Sequence, residues 1–192
     1  MRDQPHTSES SPKSSPKRWL WLVSLALVVI LIDQLTKAYV VAHLDYRDSW
    51  VPIKAIESIF RFTHVHNTGA AFGIFPDGGS VFLIIAAFVS VIILIYYHQI
   101  PDGAWLARIA LGLQLGGALG NVVDRVRVGY VVDFFDVSIW PVFNVADSCI
   151  VIGVALLMLE MLREEWQMKQ AAKHAEQHDT ASERADHEGV YS

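Results

Sequence analysis

Four apolar runs dominate the hydropathy pattern: Trp19 to about Val41, about Ser80 to Tyr97, about Trp105 to Val123, and about Ala146 to Leu162. A helix that crosses a hydrocarbon core needs roughly 17–25 such residues. Each run therefore predicts a transmembrane helix, and the fold class is a membrane all-α bundle of four spans. The first run is long, is followed by no small-residue cleavage site and carries Asp33, Lys37 and His43 at its far end. It reads as an uncleaved anchor. Residues 45–77 form the longest connection. In it Phe60, Phe62, His64 and His66 alternate with Arg61, Thr63, Val65 and Asn67, the period of a strand. Asn67-Thr68-Gly69 and Pro76-Asp77-Gly78-Gly79 read as turns. The expectation is a small extracytoplasmic β-sheet lying on the outer face of the membrane.

Polar segments flank this body. Residues 1–18 are rich in Ser, Pro and Lys and cannot bury enough apolar surface to order themselves. Residues 163–192 form a charged, solvated tail in which Glu165 and Lys169 support a short helical extension. The domain reading is thus a disordered N-terminal tail (1–18), a membrane domain (19–162) and a C-terminal tail (163–192).

Composition agrees with a membrane chain: 53% of residues are hydrophobic and 18% charged. The net charge of −5 comes largely from the C-terminal tail, and no basic patch points to nucleic acid. The single cysteine, Cys149, excludes an internal disulfide. Lys13, Lys17 and Arg18 precede the first span, Arg163, Lys169 and Lys173 follow the fourth, and Arg108 lies near the turn between the second and third. This bias puts both termini in the cytoplasm, although Arg47, Lys54, Arg61, Arg125 and Arg127 fall on the other side.

The orientation sets a depth. Asp33 lies fifteen positions after Arg18, Asp124 sixteen after Arg108, and Asp147 sixteen before Arg163. At about 1.5 Å per residue, each carboxylate sits roughly 22–24 Å from a cytoplasmic-side charge. Three spans deliver an aspartate to one level, near the outer boundary of the hydrocarbon. Ionisable groups there are expensive and face a bundle interior or a cavity. Gly112, Gly116 and Gly120, with Gly117 beside them, form a small-residue stripe that draws the third span against its neighbours and so positions Asn121 and Asp124; Gly153 is a similar point on the fourth.

Asn121 and Asp124, and again Asn144 and Asp147, are three apart and share a helix face. With Asp133 they gather three carboxylates and two amides near one interface. Two close carboxylates share a proton, so one activates water as a base while the other donates to the carbonyl oxygen of a peptide bond. Asp124 is followed by Arg125 and Arg127, which suits an ion pair at the end of the third span. Asp133 lies between Val131-Val132 and Phe134-Phe135, where apolar surroundings raise a carboxyl pKa, and is the better partner for Asp147. His64 and His66 share a strand face, but two histidines fall short of the three or four ligands a zinc site needs, and no metal or other cofactor is expected. A thiol protease built on Cys149 is disfavoured by its place inside a span. A transporter is disfavoured because the aspartates lie at one interface rather than at the midplane.

Five motifs in order carry a resemblance: Asp33-Gln-Leu-Thr-Lys37, Asn67-Thr-Gly-Ala-Ala-Phe-Gly73, Gly116-Gly-Ala-Leu-Gly-Asn121-Val-Val-Asp124-Arg125, Val131-Val-Asp133-Phe and Phe143-Asn-Val-Ala-Asp147-Ser. Over about residues 19–162 the sequence resembles the lipoprotein signal peptidase (signal peptidase II) family. The resemblance implies an aspartic endopeptidase with Asp133 and Asp147 as the catalytic pair. Asn67, Asn121, Arg125 and Asn144 would line or support the site, and Asp33 and Lys37 would be structural. It implies a prolipoprotein substrate carrying diacylglycerol on its lipobox cysteine, cut just before that cysteine. It further implies a bacterial inner-membrane location with the site at the outer face, under a sheet that acts as a cradle. A monomer in contact with membrane lipid is expected.

Overall fold

The computed structural model describes residues 16–69, 79–101 and 103–189. Its helices are α1 (Pro16–His43), α2 (Gly79–Tyr96), α3 (Trp105–Val128) and α4 (Val145–Gly189), and its strands are β1 (Ser49–Trp50), β2 (Arg61–Asn67) and β3 (Val131–Asp136). All four helices contain a stretch long and apolar enough to cross a membrane. The protein is therefore a multi-pass membrane protein, with a small antiparallel sheet in the order β1-β2-β3.

The helices outrun the apolar runs. Pro16 starts α1 ahead of Trp19, at a position where its missing N–H costs nothing. α3 continues through Asp124 and Arg125 and ends at Gly129, whose φ of 84° gives a left-handed cap with its N–H on the Arg125 carbonyl. α4 continues far past Leu162, to Gly189, so the C-terminal extension is much longer than the short one expected; Lys169 meets Glu165 at 2.6 Å on its exposed side. Of the N-terminal segment, residues 1–15 lie outside the described residues, as do positions 70–73 of the Asn67 motif and the turn at 76–78.

α3 is the centre of the bundle. Half of its most apolar stretch is buried, against 22%, 11% and 17% for α1, α2 and α4, whose remaining surfaces are apolar and face outward. The glycines make this possible, as expected. A Cβ at Gly116 would lie 2.6 Å from Val29 Cβ and 2.9 Å from the Ala26 carbonyl oxygen, so Gly112, Gly116 and Gly120 face α1. Gly117 faces Ala146 of α4, and Gly153 receives Gln114 of α3. Without a hydrophobic driving force between helices in lipid, such close backbone approach supplies the dispersion contact that holds spans together.

The β2 register departs from strict alternation. Phe62 pairs with Phe135, but Val65 pairs with Asp133, so β2 carries one extra residue between them. Arg61, Thr63, Val65 and Asn67 were expected on one face. The bulge divides them: Arg61 and Thr63 reach Asp136, whereas Asn67 reaches Asp133, a partner three positions away and of opposite parity on β3.

Candidate active site

The site is assembled where α4 begins. Asn144 precedes the first helical residue. Its Oδ1 accepts from the Asp147 N–H at 2.9 Å, while Asp147 Oδ2 accepts from the Asn144 N–H at 3.3 Å. This is a reciprocal capping box, written in Asn and Asp. A further helix-end donor is also claimed: the Ala146 N–H donates to Asp33 Oδ1 at 3.0 Å. Asp147 thus stands in the first turn of α4, where the helix N-terminus favours an anion.

β3 brings the second carboxylate. The Gly129 cap turns the chain back so that the Val132 N–H donates to Asp124 Oδ2 at 3.2 Å. Phe143 then bridges Phe135 in both directions, which ties the start of α4 to β3. Asn144 Nδ2 consequently donates to Asp133 Oδ1 at 2.7 Å, and Asn67 Nδ2 donates to Asp133 Oδ2 at 2.8 Å. Asn67 Oδ1 closes its own turn by accepting from the Gly69 N–H at 3.1 Å. Asn144 is therefore a bridge that touches both Asp133 and Asp147.

Behind this layer lies a buried cation. Lys37 Nζ is 2.8 Å from Asp33 Oδ2, 2.8 Å from Asp124 Oδ2 and 3.0 Å from Asn121 Oδ1. Lys37 orients the Asn121 amide, whose Nδ2 then donates to Asp147 Oδ1 at 2.8 Å. Asp33, Lys37 and Asp124 thus join α1 to α3 and, through Ala146 and Val132, to α4 and β3. The cation beside Asp124 was expected to be Arg125 or Arg127; it is Lys37, because the glycine stripe lets α1 approach α3 closely. Arg125 instead lies with its Cζ 5.8 Å from the Phe82 ring, and its buried Nε has no partner among the described residues.

A cavity of about 430 Å3 runs from this cluster down between α2, α3 and α4, lined at its polar end by Asn67, Asn121, Arg125 and Asp147. Asp133 is 1% exposed and lies behind Asn67, its hydrogen-bond donor in the cavity wall. Burial, and next the negative charge of Asp147, push its pKa up to about 7. The donors Asn67 and Asn144 offset only part of that rise. A carboxyl that keeps its proton beside a second, charged carboxylate is an arrangement in which one group can serve as acid and the other as base.

A model of the family "Signal peptidase (SPase) II" matches residues 25–163. The chain belongs to the signal peptidase II family. The protein named lipoprotein signal peptidase in Halothermothrix orenii is 46% identical over 141 residues, covering 73% of this chain and 94% of that protein. The one in Moorella thermoacetica is 47% identical over 138 residues, covering 72% and 90%. A bacterial membrane enzyme solved by the in meso method at 2.3 Å resolution superposes with a TM-score of 0.69 at 32% identity, over 76% of this chain and 89% of that one. As a family member the chain is a membrane peptidase, and the likeness of fold extends to the four spans and the sheet.

In this signal peptidase II sequence Asp33, Lys37, Asn67, Asn121, Asp124, Asp133, Asn144 and Asp147 are joined in one hydrogen-bonded cluster, with Arg125 in the adjoining cavity wall. Sequence reasoning passed over Gln34, which donates to Asp124 Oδ1 at 2.8 Å and to the Gly120 carbonyl at 3.3 Å, and accepts from Arg127 at 3.2 Å. Its signal was available: an amide beside Asp33 inside a span needs a partner. Asp136 was also missed; burial opposes its charge, but hydrogen bonds from Arg61, the Ser138 N–H and Thr63 hold its pKa below the usual carboxylate range. His64 and His66 meet ring to ring at 5.0 Å, with Tyr46 and Tyr130 stacked on His66. Among the described residues no three metal-ligating side chains come together.

Proposed function

We propose that this peptidase is an aspartic endopeptidase that removes signal peptides from prolipoproteins whose lipobox cysteine carries diacylglycerol, cutting just before that cysteine. The observation that supports the reading is the Asn144 bridge, which donates to Asp133 from its side chain and exchanges hydrogen bonds with Asp147. The proton rests on Asp133, and Asp147 holds the charge. A water placed between them gives its proton to Asp147 as its oxygen attacks the peptide carbonyl, while Asp133 donates to the carbonyl oxygen. Collapse of the tetrahedral intermediate returns that proton to Asp133 and passes the one on Asp147 to the leaving amine. Arg125 and Asn67 face the cavity, where they orient the peptide.

The reading extends to place. The carboxylates lie at the outer boundary of a bacterial inner membrane, both termini are cytoplasmic, and the protein acts as a monomer. At that level a diacylglyceryl group stays in lipid while the peptide reaches the carboxylates. The chemistry uses neither metal nor cofactor.

The test is cleavage of a lipidated prolipoprotein by purified protein, beside the unlipidated precursor. The expected result is cleavage of the lipidated form alone, unaffected by EDTA. Asp133→Asn and Asp147→Asn should each abolish it while still binding substrate. Near wild-type turnover in Asp133→Asn with a folded but inactive Asp124→Asn would move the catalytic role to Asp124.

A further inference from the structure

The cavity does not end at the carboxylates. Below them its wall becomes apolar, with Phe82, Ile85 and Val89 from α2, Ala118 from α3 and Ile150 from α4. One polar side chain interrupts that wall. Gln114 of α3 lines the cavity, and its Nε2 is buried with no hydrogen-bond partner among the described residues. Gly153 makes room for it: a Cβ there would come within 2.6 Å of Gln114 Cγ and 3.3 Å of Nε2. Gln114 is seven residues before Asn121, hence two helical turns away on the same face and ~10 Å deeper. An amide at that depth in a span costs free energy unless something pairs with it.

A transmembrane signal peptide supplies the missing partner. A helix that ends near a cleavage site leaves its last four carbonyls without intrahelical donors, and in hydrocarbon no water replaces them. Resting on the proposed function, we propose that the Gln114 amide binds a main-chain carbonyl at the C-terminal end of the signal peptide. Rotation of the terminal amide turns its N–H into the cavity, and the carbonyl oxygen of a bound peptide then satisfies it. The carbonyl concerned lies about three residues before the cleaved bond in an extended segment, or about seven in a helical one. Gln114 is thus a substrate-binding residue that reads backbone rather than side chain, and it recognises signal peptides of differing sequence by their unpaired carbonyls.

The experiment uses a synthetic diacylglyceryl-lipopeptide and its analogues in which single amides, from the third to the seventh residue before the cut, are replaced by esters. An ester leaves a carbonyl that is a weaker acceptor. Gln114→Met keeps the length of the side chain without the amide, and Gln114→Asn keeps the amide but shortens its reach. Both variants should raise KM roughly tenfold, about the worth of one hydrogen bond, and leave kcat within about twofold. In the wild type one ester position should raise KM by a similar factor, and that increment should vanish in Gln114→Met. Unchanged KM in both variants, or ester increments equal in wild type and variant at every position, overturns the inference while wild-type cleavage leaves the proposed function standing. Failure of the wild type to cleave the parent lipopeptide overturns both.

Discussion

Asp133 accepts from Asn144 on one oxygen and from Asn67 on the other, yet it is almost fully buried, and that conflict sets its chemistry. A carboxyl whose pKa stands near 7 is protonated in mildly acid solution and loses its proton as the pH rises. Turnover in a pH series should therefore fall as the pH passes upward through about 7. Stability follows the same sign: the folded state holds this proton more tightly than the unfolded chain, so Asp133 contributes most at low pH, and its contribution drains away between the ordinary carboxylate range and about 7. Asp133→Asn should flatten that part of a thermal-midpoint profile, and a profile as steep as wild type would count against a raised pKa. Asp124 belongs to another class. It accepts from the Val132 N–H and pairs with Lys37. Asp124→Asn should lower stability by about 1–3 kcal/mol, the cost of a weakened charge-assisted contact, with activity falling only in step with folded yield. A fully folded yet inactive variant would contradict that assignment. The apolar flanks of Asp133 made its raised pKa legible in the sequence. The partner of Asp124 was not, because Lys37 is remote along the chain and its neighbourhood exists only once α1 and α3 are packed.

At the level of elements, α3 is pressed between α1 and α4 by glycines that differ in what they touch. Gly116 faces backbone, the Ala26 carbonyl oxygen, whereas the atoms nearest Gly112 are those of the Leu25 side chain, with Cδ2 closest. Gly116→Ala should therefore lower the thermal midpoint in detergent by the equivalent of about 1–3 kcal/mol, the usual cost of overpacking. Gly112→Ala should cost visibly less, since Leu25 can turn aside, and equal losses would mean that α1 adjusts as a rigid body. The spacing of four made this stripe plain from sequence. The bulge in β2 was not plain, because alternation of residue types carries no record of an added residue. It decides whether Asn67 or His66 shares the face of Asp133, and so a register effect selects a member of the site.

Across the whole molecule, three of the four spans and two strands supply the residues that form the cluster, and α3 is the element against which the other helices pack. Reporters fused after Arg18 and after Arg163 should both read cytoplasmic, and one near Asp48 external; a terminus on the outside would reverse the depth argument. The number of spans and the common level of Asp33, Asp124 and Asp147 along the bundle followed from sequence alone, because span length and helical rise leave few alternatives. Helix ends did not, since polar residues continue a helix once the apolar run has started it, as α4 does to Gly189. The partners within the site belong to the tertiary structure. Lys37 orients Asn121, and Asn144 spans two carboxylates from β3 and α4, because β3 folds back at Gly129 and is tied to Phe143. One-dimensional spacing can bring groups to a common depth, but only packing around the bundle axis decides which of them touch.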